Sequence, residues 1–139
     1  MRYRVVFQPD DNGTILVTCP DLPELVTYGL DEVDARRRAA DAIATVLQGR
    51  ITARQDIPHP ADHTGEVIDL GALVDAKVAL YRAMRTDGVT RAELARRMRA
   101  HGPTIDRLLD LRHDSRIQSI EDAVTALGRT MRIAVSEAA

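Results

Sequence analysis

The dipeptide Asn12-Gly13 lies between two runs in which apolar residues alternate, Tyr3, Val5 and Phe7 before it and Ile15, Val17 and Cys19 after it. Side chains along a strand point to opposite faces with period two, and Asn-Gly supplies the positive φ angles of a tight hairpin. The stretch is therefore constrained to a pair of antiparallel strands. A third short strand, Leu25 to Tyr28, follows the Pro20-Asp21-Leu22-Pro23 corner. Asp31 has the chemistry of a helix cap, and Glu32 and Asp34 suit the first turn against the macrodipole. From there Ala35, Ala39, Ala42, Ile43, Val46 and Leu47 recur at three- and four-residue spacing, with Arg36, Arg37, Arg38, Asp41 and Gln48 on the other side. That stripe predicts a helix covering a sheet face. Val67 to Leu70 is short and branched enough to be a returning strand. The order strand, strand, strand, helix, strand makes a small layer that buries one sheet face and leaves the other free.

The rest of the chain differs in charge. Of 139 residues, 45% are hydrophobic and 29% charged, and the net charge is only −2. Residues 1–66 hold 7 Arg against 11 Asp and Glu, a net −4, whereas residues 67–139 hold 12 Lys and Arg against 10 acids, a net +2. Between Arg82 and Arg116 stand 9 Arg against 5 acids. The stretch RITARQDIPHPADHTG, Arg50 to Gly65, has two prolines, a glycine and no apolar period, as a connector does. The chain therefore divides into an acidic domain over 1–70 and a domain with a basic centre over 71–139. No apolar run approaches the roughly 20 residues of a membrane helix, and the start carries no signal-peptide stretch, which predicts a cytoplasmic protein. The lone Cys19 has no disulfide partner and no nearby Cys or His for a zinc cluster.

In the second half, Leu73, Ala76, Leu80, Ala83 and Met84 form a helical stripe that Asp87-Gly88 ends. Thr90 with Glu93 three residues on predicts a capping box, with Leu94, Ala95 and Met98 facing inward. Gly102 then suits a cap and Pro103 the first helical position, where a missing N–H costs nothing. Ile105, Leu108 and Leu109 would be buried, with Pro103, Thr104, Asp106 and Arg107 outward. Two short helices so joined look like a helix-turn-helix of phage-repressor type. A glycine commonly stands in that turn where this chain has Arg99, so a longer or differently shaped turn is expected.

The arginines could merely solvate a helical hairpin, but their concentration over two short helices favours DNA. Thr104 and Arg107 are the base-edge candidates, because the start of a recognition helix enters the major groove and an arginine fork matches the two acceptors of guanine. Arg91, Arg96, Arg97 and Arg99 would touch phosphates and Pro103 would stand at the tip, while Arg112, His113 and Arg116 could extend the backbone contacts. Ser119 to Asp122 opens a further helix that Gly128 closes. Met131, Ile133 and Val135 then alternate with Arg132 and Ala134 as a strand would, pairing with a second copy as a homodimer or higher homo-oligomer, or with the first domain's sheet.

Tyr3 to Phe7, Pro9 to Gly13, Pro20 to Pro23, Gly29 and the Asp31 to Leu47 helix resemble the N-terminal domain of HicB antitoxins, a reduced ribonuclease H-like fold. Lys77 to Tyr81, Thr90 to Ala95, Arg107 to Leu109 and Ala123 to Gly128 are similar to the helix-turn-helix version of that family. The chain departs from the pattern mildly, with Glu24 for the usual Gly and Asp31 for Thr or Ser. The resemblance implies an α+β chain: a small partial ribonuclease H-like sheet with one helix, then an all-helical DNA-binding and dimerisation domain ending in a short strand. It further implies an antitoxin that blocks a HicA-type mRNA-cleaving toxin and represses its own operon on double-stranded operator DNA. No catalysis, metal or cofactor is expected.

Two alternatives stand beside this. One is a stand-alone repressor whose first domain senses a ligand or protein. The other is a ribonuclease H-like nuclease using Asp10, Asp11, Asp21 or Asp31, although turn and cap chemistry already accounts for those aspartates. His59 and His63 with Asp56 and Asp62 have the spacing of a metal clamp if helical, but Pro58 and Pro60 favour a solvated linker.

Overall fold

A computed structural model of the chain describes residues 1–61 and 64–138. It forms two compact units, Met1–Asp75 and Ala76–Ala139, each built from strands, helices or both in an α+β chain.

In the first unit the strand expected over Arg2 to Phe7 forms in two pieces, β1 (Arg2–Arg4) and β2 (Val6–Pro9). β1 pairs antiparallel with β5 (Val67–Asp69), and the Val5 N–H donates to the Glu66 carbonyl at 2.9 Å. β2 pairs antiparallel with β3 (Ile15–Thr18), and β3 with β4 (Val26–Gly29), so Phe7, Val17 and Thr27 stand in one row. The break at Val5 lets one stretch of chain serve two partners. It leaves β4 at an edge. The hairpin turn is longer than a two-residue one: the Gly13 N–H donates to the Asp10 carbonyl at 3.0 Å and the Asp10 N–H to the Thr14 carbonyl at 2.8 Å. Of the Asn-Gly pair only Gly13 takes a positive φ, +75°, because it has no Cβ to oppose it.

Helix α1 (Glu32–Thr52) starts on a reciprocal cap. Asp31 Oδ1 accepts from the Asp34 N–H and Asp34 Oδ2 accepts from the Leu30 N–H, both at 2.8 Å. The helix buries Ala35, Ala39, Ile43, Leu47 and Ile51, while Ala42 and Val46 are half-buried. Its first turn crosses β4 at Gly29, where a methyl group would collide with the Ala35 backbone. This close approach lets Tyr3, Val5, Val17, Cys19, Leu22 and Leu25 share one core with the helix.

The segment read as a connector from Arg50 is partly built in. Its first residues belong to α1, Ile57 is buried, and the Tyr3 hydroxyl donates to the Pro58 carbonyl at 2.6 Å. Arg50 donates to both Glu24 carboxylate oxygens, at 3.1 and 2.8 Å, and to the Asp56 carbonyl at 2.9 Å. The grouping of His59 and Asp56 with His63 and Asp62 falls partly outside the described residues.

The second unit is helical: most of α2 (Ala72–Asp87), then α3 (Arg91–Met98), α4 (Gly102–Leu108) and α5 (Ile117–Ala126). Gly88, at φ +65°, and Val89 cap α2 through the Arg85 and Met84 carbonyls. Val78, Leu80, Tyr81, Met84, Leu94, Ile105, Leu109 and Ile120 supply much of the core. α5 starts two residues earlier than Ser119, and the Gly128 N–H closes it on the Thr125 carbonyl. The expected terminal strand is not formed: Met131 to Val135 run as irregular backbone, with Ile133 and Val135 exposed. A single copy offers that segment no partner strand, and an unpaired ladder of backbone groups has nothing to hold it.

The helical stripe read on α2 also needs correcting. Leu73, Ala76 and Ala83 are only half-buried, and the fully buried neighbour of Val78 and Leu80 is Lys77. Its ammonium donates to the carbonyls of Arg107 at 2.9 Å, Asp110 at 2.6 Å and His113 at 2.8 Å, and lies 2.9 Å from Ser115 Oγ. Burial pushes this lysine below its usual range, and the nearby Asp110 and Asp114 carboxylates push it back up. The cation thus binds the end of α4 and the loop behind it, where the helix carbonyls lack intrahelical donors. Replacing Lys77 by Met removes the charge-assisted hydrogen bonds and leaves each carbonyl with a backbone N–H only, so Lys77→Met should destabilise the second unit by about 1–3 kcal/mol. Urea unfolding followed on that unit measures it; an unchanged midpoint would show that water replaces the ammonium at no cost.

Candidate nucleic-acid interface

The Thr90 to Arg107 stretch builds two short helices and a turn. Thr90 Oγ1 accepts from the Glu93 N–H at 3.1 Å, so the N-terminal half of the expected capping box forms. The Glu93 carboxylate turns instead toward the next turn of its own helix. It accepts from Arg96 Nε and Nη2 at 2.9 and 2.6 Å, and from Arg97 Nε at 3.0 Å. Those two guanidiniums hold the Glu93 carboxyl down at about 2. The reciprocal box is found at Asp31 and Asp34, where Asp34 accepts from the Leu30 N–H while also pairing with Arg37 and Arg38.

Arg99 ends α3 in the left-handed conformation, φ 53° and ψ 42°, and its N–H returns to the Ala95 and Arg96 carbonyls. The turn therefore keeps the shape that a glycine usually supplies. A side chain in this region costs on the order of 1–2 kcal/mol. The Ala100 N–H bonds to the Ala95 carbonyl at 2.9 Å. His101 then caps α4 without a side-chain hydrogen bond, and Gly102 and Pro103 are its first two residues, one position later than expected for Pro103. Ile105, Leu108 and Leu109 are buried; Pro103, Asp106 and Arg107 are exposed and Thr104 is half-buried.

All seven residues singled out from the sequence thus lie on α3, the turn and α4. Their charges are not equivalent. Arg91 pairs with Asp106 at 3.2 Å, tying the start of α3 to α4, and Arg96 and Arg97 share Glu93. Among the described residues Arg99 and Arg107 pair with no carboxylate. Such exposed pairs are worth little, and a phosphate oxygen can take over an arginine from them. Sequence reasoning missed two parts of this arrangement. Asp106 is the partner that orients Arg91, and Lys77 anchors the backbone of Arg107, the residue whose side chain projects from the last turn of α4. The signal for Lys77 was a charge set among apolar residues of the α2 stripe.

Among the described residues no three His, Cys, Asp or Glu side chains converge to hold a metal ion. Asp10 shapes the hairpin turn, with its Oδ1 accepting from the Asp11 N–H at 2.8 Å. Asp21 Oδ2 accepts from the Ala61 N–H at 3.2 Å, and Asp31 caps α1. No helix among those residues is long and apolar enough to cross a membrane.

The folded-state value of Glu93 lies below that of a free glutamate, so its contribution to stability is complete above about 4.5 and is lost as pH falls through about 2. Carbon-13 titration of the Glu93 carboxyl should find it still ionised at pH 3; a midpoint near 4.5 would show that Arg96 and Arg97 are not held in solution.

A family model described as "HicB_like antitoxin of bacterial toxin-antitoxin system" matches residues 2–79. Similar proteins include Antitoxin HicB of Pseudomonas fluorescens, 34% identical over 148 residues that cover 99% of this chain and all of that protein. Antitoxin HicB 1 of Photorhabdus laumondii is 30% identical over 97% of this chain and 87% of its own length. Antitoxin HicB of Escherichia coli K12 is 30% identical over 96% and 98%. With the matched strands and α1 in place and similarity running nearly end to end, the chain belongs to the HicB-like antitoxins of bacterial toxin–antitoxin systems.

Proposed function

We propose that residues 1–70 neutralise a HicA-type mRNA-cleaving toxin and that residues 71–139 dimerise and bind operator DNA to repress the chain's own operon, in the cytoplasm and without catalysis. The observation that carries the DNA-binding part is the α3–α4 pair itself. Its turn is closed by a left-handed Arg99, its inner face is filled by Leu94, Ala95, Ile105 and Leu108, and Arg107 projects outward with no carboxylate partner among the described residues. A helix held this way presents Thr104 and Arg107 to base edges. Arg91, Arg96, Arg97 and Arg99 surround them for phosphates, with Pro103 at the tip. Membership in an antitoxin family supports the toxin part. The acidic first domain also complements the positive charge an RNA-binding toxin needs.

Dimerisation draws on the chain's end. Ile117, Ile133 and Val135 are exposed, and Ile117, Glu121, Met131 and Ile133 line a groove of about 300 Å³. Pairing of the two Met131 to Val135 segments across a two-fold axis would give each the partner it lacks alone, and would set two recognition helices against a palindromic operator.

Co-expression with a HicA-type toxin should yield a copurifying pair; separate elution of the two would refute the toxin-binding reading. Arg107→Ala should weaken specific operator binding by about 1–3 kcal/mol and relax preference at one base position, whereas Arg97→Ala should lower the salt slope by about one. Equal loss from Arg107→Ala on every DNA sequence would reassign that side chain to a phosphate. Deleting 129–139 should convert the oligomer to monomers in light scattering, and an unchanged mass would place the interface elsewhere.

A further inference from the structure

The first unit carries a surface that neither its core nor its charge pairs use. β4 pairs with β3 on one side, and no strand among the described residues pairs with its other side. Natural proteins normally blunt such an edge with lysine, proline or a bulge. Val26-Thr27-Tyr28-Gly29 has none of these residues, and it pairs with β3 residue for residue without interruption. Gly29 packs on α1, so Val26 and Tyr28, alternating with it, face away from the helix. They are 59% and 48% exposed, and Leu30 and Val33, next along the chain, are 71% and 79% exposed. Four large apolar side chains thus stand exposed on β4 and the turn and helix start that follow it. Beside it runs a groove of about 450 Å³ whose lining includes Val26, Thr27, Arg37, Asp41 and Thr45. Exposed apolar side chains grouped on one strand and the segment that follows it are a feature of interaction surfaces.

Charge decides between the possible occupants. Residues 1–75 carry 7 Arg against 13 Asp and Glu. Beside the patch, Arg37 and Arg38 are held by Asp34, and exposed Glu32 forms no ion pair among the described residues. Joining two copies edge to edge would bring two strongly acidic units together. A cationic protein offering a strand of its own meets an opposite field instead. We propose that the β4 edge, with Val26, Tyr28, Leu30 and Val33, is the docking strip on which a basic toxin adds a β-strand to this sheet. Main-chain hydrogen bonds along Val26–Gly29 supply the affinity, and the apolar side chains fix the register. The inference rests on the reading that the first domain neutralises a toxin.

The test uses the full chain co-expressed with a HicA-type toxin. The double variant Val26→Lys/Tyr28→Lys alters two solvent-exposed positions, and an unchanged melting temperature would show that it folds. A control, Thr52→Lys/Ala53→Lys, makes the same charge change at exposed positions at the far end of α1. The first variant should weaken binding by about tenfold or more and the control by no more than about twofold. Amide exchange within Val26–Gly29 should slow in the wild-type complex. Failure of the wild-type pair to form would remove the toxin-binding reading and this inference with it. A normal wild-type complex, with equal losses in both variants, no loss in the first, or no slowed exchange in β4, would overturn the docking strip alone. So would a fall in the free chain's own oligomeric mass on Val26→Lys/Tyr28→Lys, which would assign the edge to self-pairing.

Discussion

A fully buried ammonium organises the second unit. Lys77 reaches across the helical core to bind the carbonyls of Arg107, Asp110 and His113. These groups close a short helix and begin an irregular loop, where each accepts one backbone N–H, from Asp110, His113 and Ser115 in turn, and the ammonium fills a second acceptor position on all three. One cation satisfies three of them and offsets its own desolvation by doing so. α4 is only seven residues long, too short to hold itself by intrahelical bonds. Its geometry comes from the Lys77 contacts behind it and from Ile105, Leu108 and Leu109 beneath it. The position of Arg107 on the surface follows from both.

The charge around the two helices is arranged in the same economical way. Glu93 occupies Arg96 and Arg97, and Asp106 occupies Arg91, so among the described residues the arginines of α3, the turn and α4 that pair with no carboxylate are Arg99 and Arg107. Pairs at this exposure contribute little to stability. They do hold long side chains in place, which reduces the rotamer entropy lost on meeting a phosphate. Arg99 combines two demands at one position, since its backbone takes a conformation suited to glycine while its side chain adds positive charge at the turn.

The first unit follows a different logic. One sheet face is sealed by α1, whose small residues Ala35 and Ala39 let it sit against Gly29, and the other stays open. Its acidic charge and exposed apolar β4 side chains are the features on which the proposed strand addition rests. Among its described residues no three His, Cys, Asp or Glu side chains converge to hold a metal, and Asp10, Asp31 and Asp21 serve a turn, a cap and a loop amide.

Local chemistry was legible in the sequence. Period-two alternation placed the strands, Asp31 and Thr90 marked helix starts, Gly88 and Gly128 marked stops, and Ile105, Leu108 and Leu109 were recognisable as an inward face because these signals act within a few residues. Competition and long-range partnership were not legible. The alternation over Tyr3 to Phe7 could not show that Val5 would divide it between two neighbours. Thr90 and Glu93 had the spacing of a reciprocal cap, yet Glu93 turns to Arg96 and Arg97, whereas Asp34, with arginines at the same spacing, also reaches back to the Leu30 amide. Lys77 could not be assigned to the interior, because its partners lie 30 or more residues away. The alternation from Met131 to Val135 is a strand pattern without a partner in one copy. Sequence by itself determined where helices, turns and charge would fall, because those preferences are carried by each residue and its near neighbours. Only the tertiary structure decided which buried carbonyls needed a cation and which sheet edge stayed open, because both depend on groups that folding alone brings together.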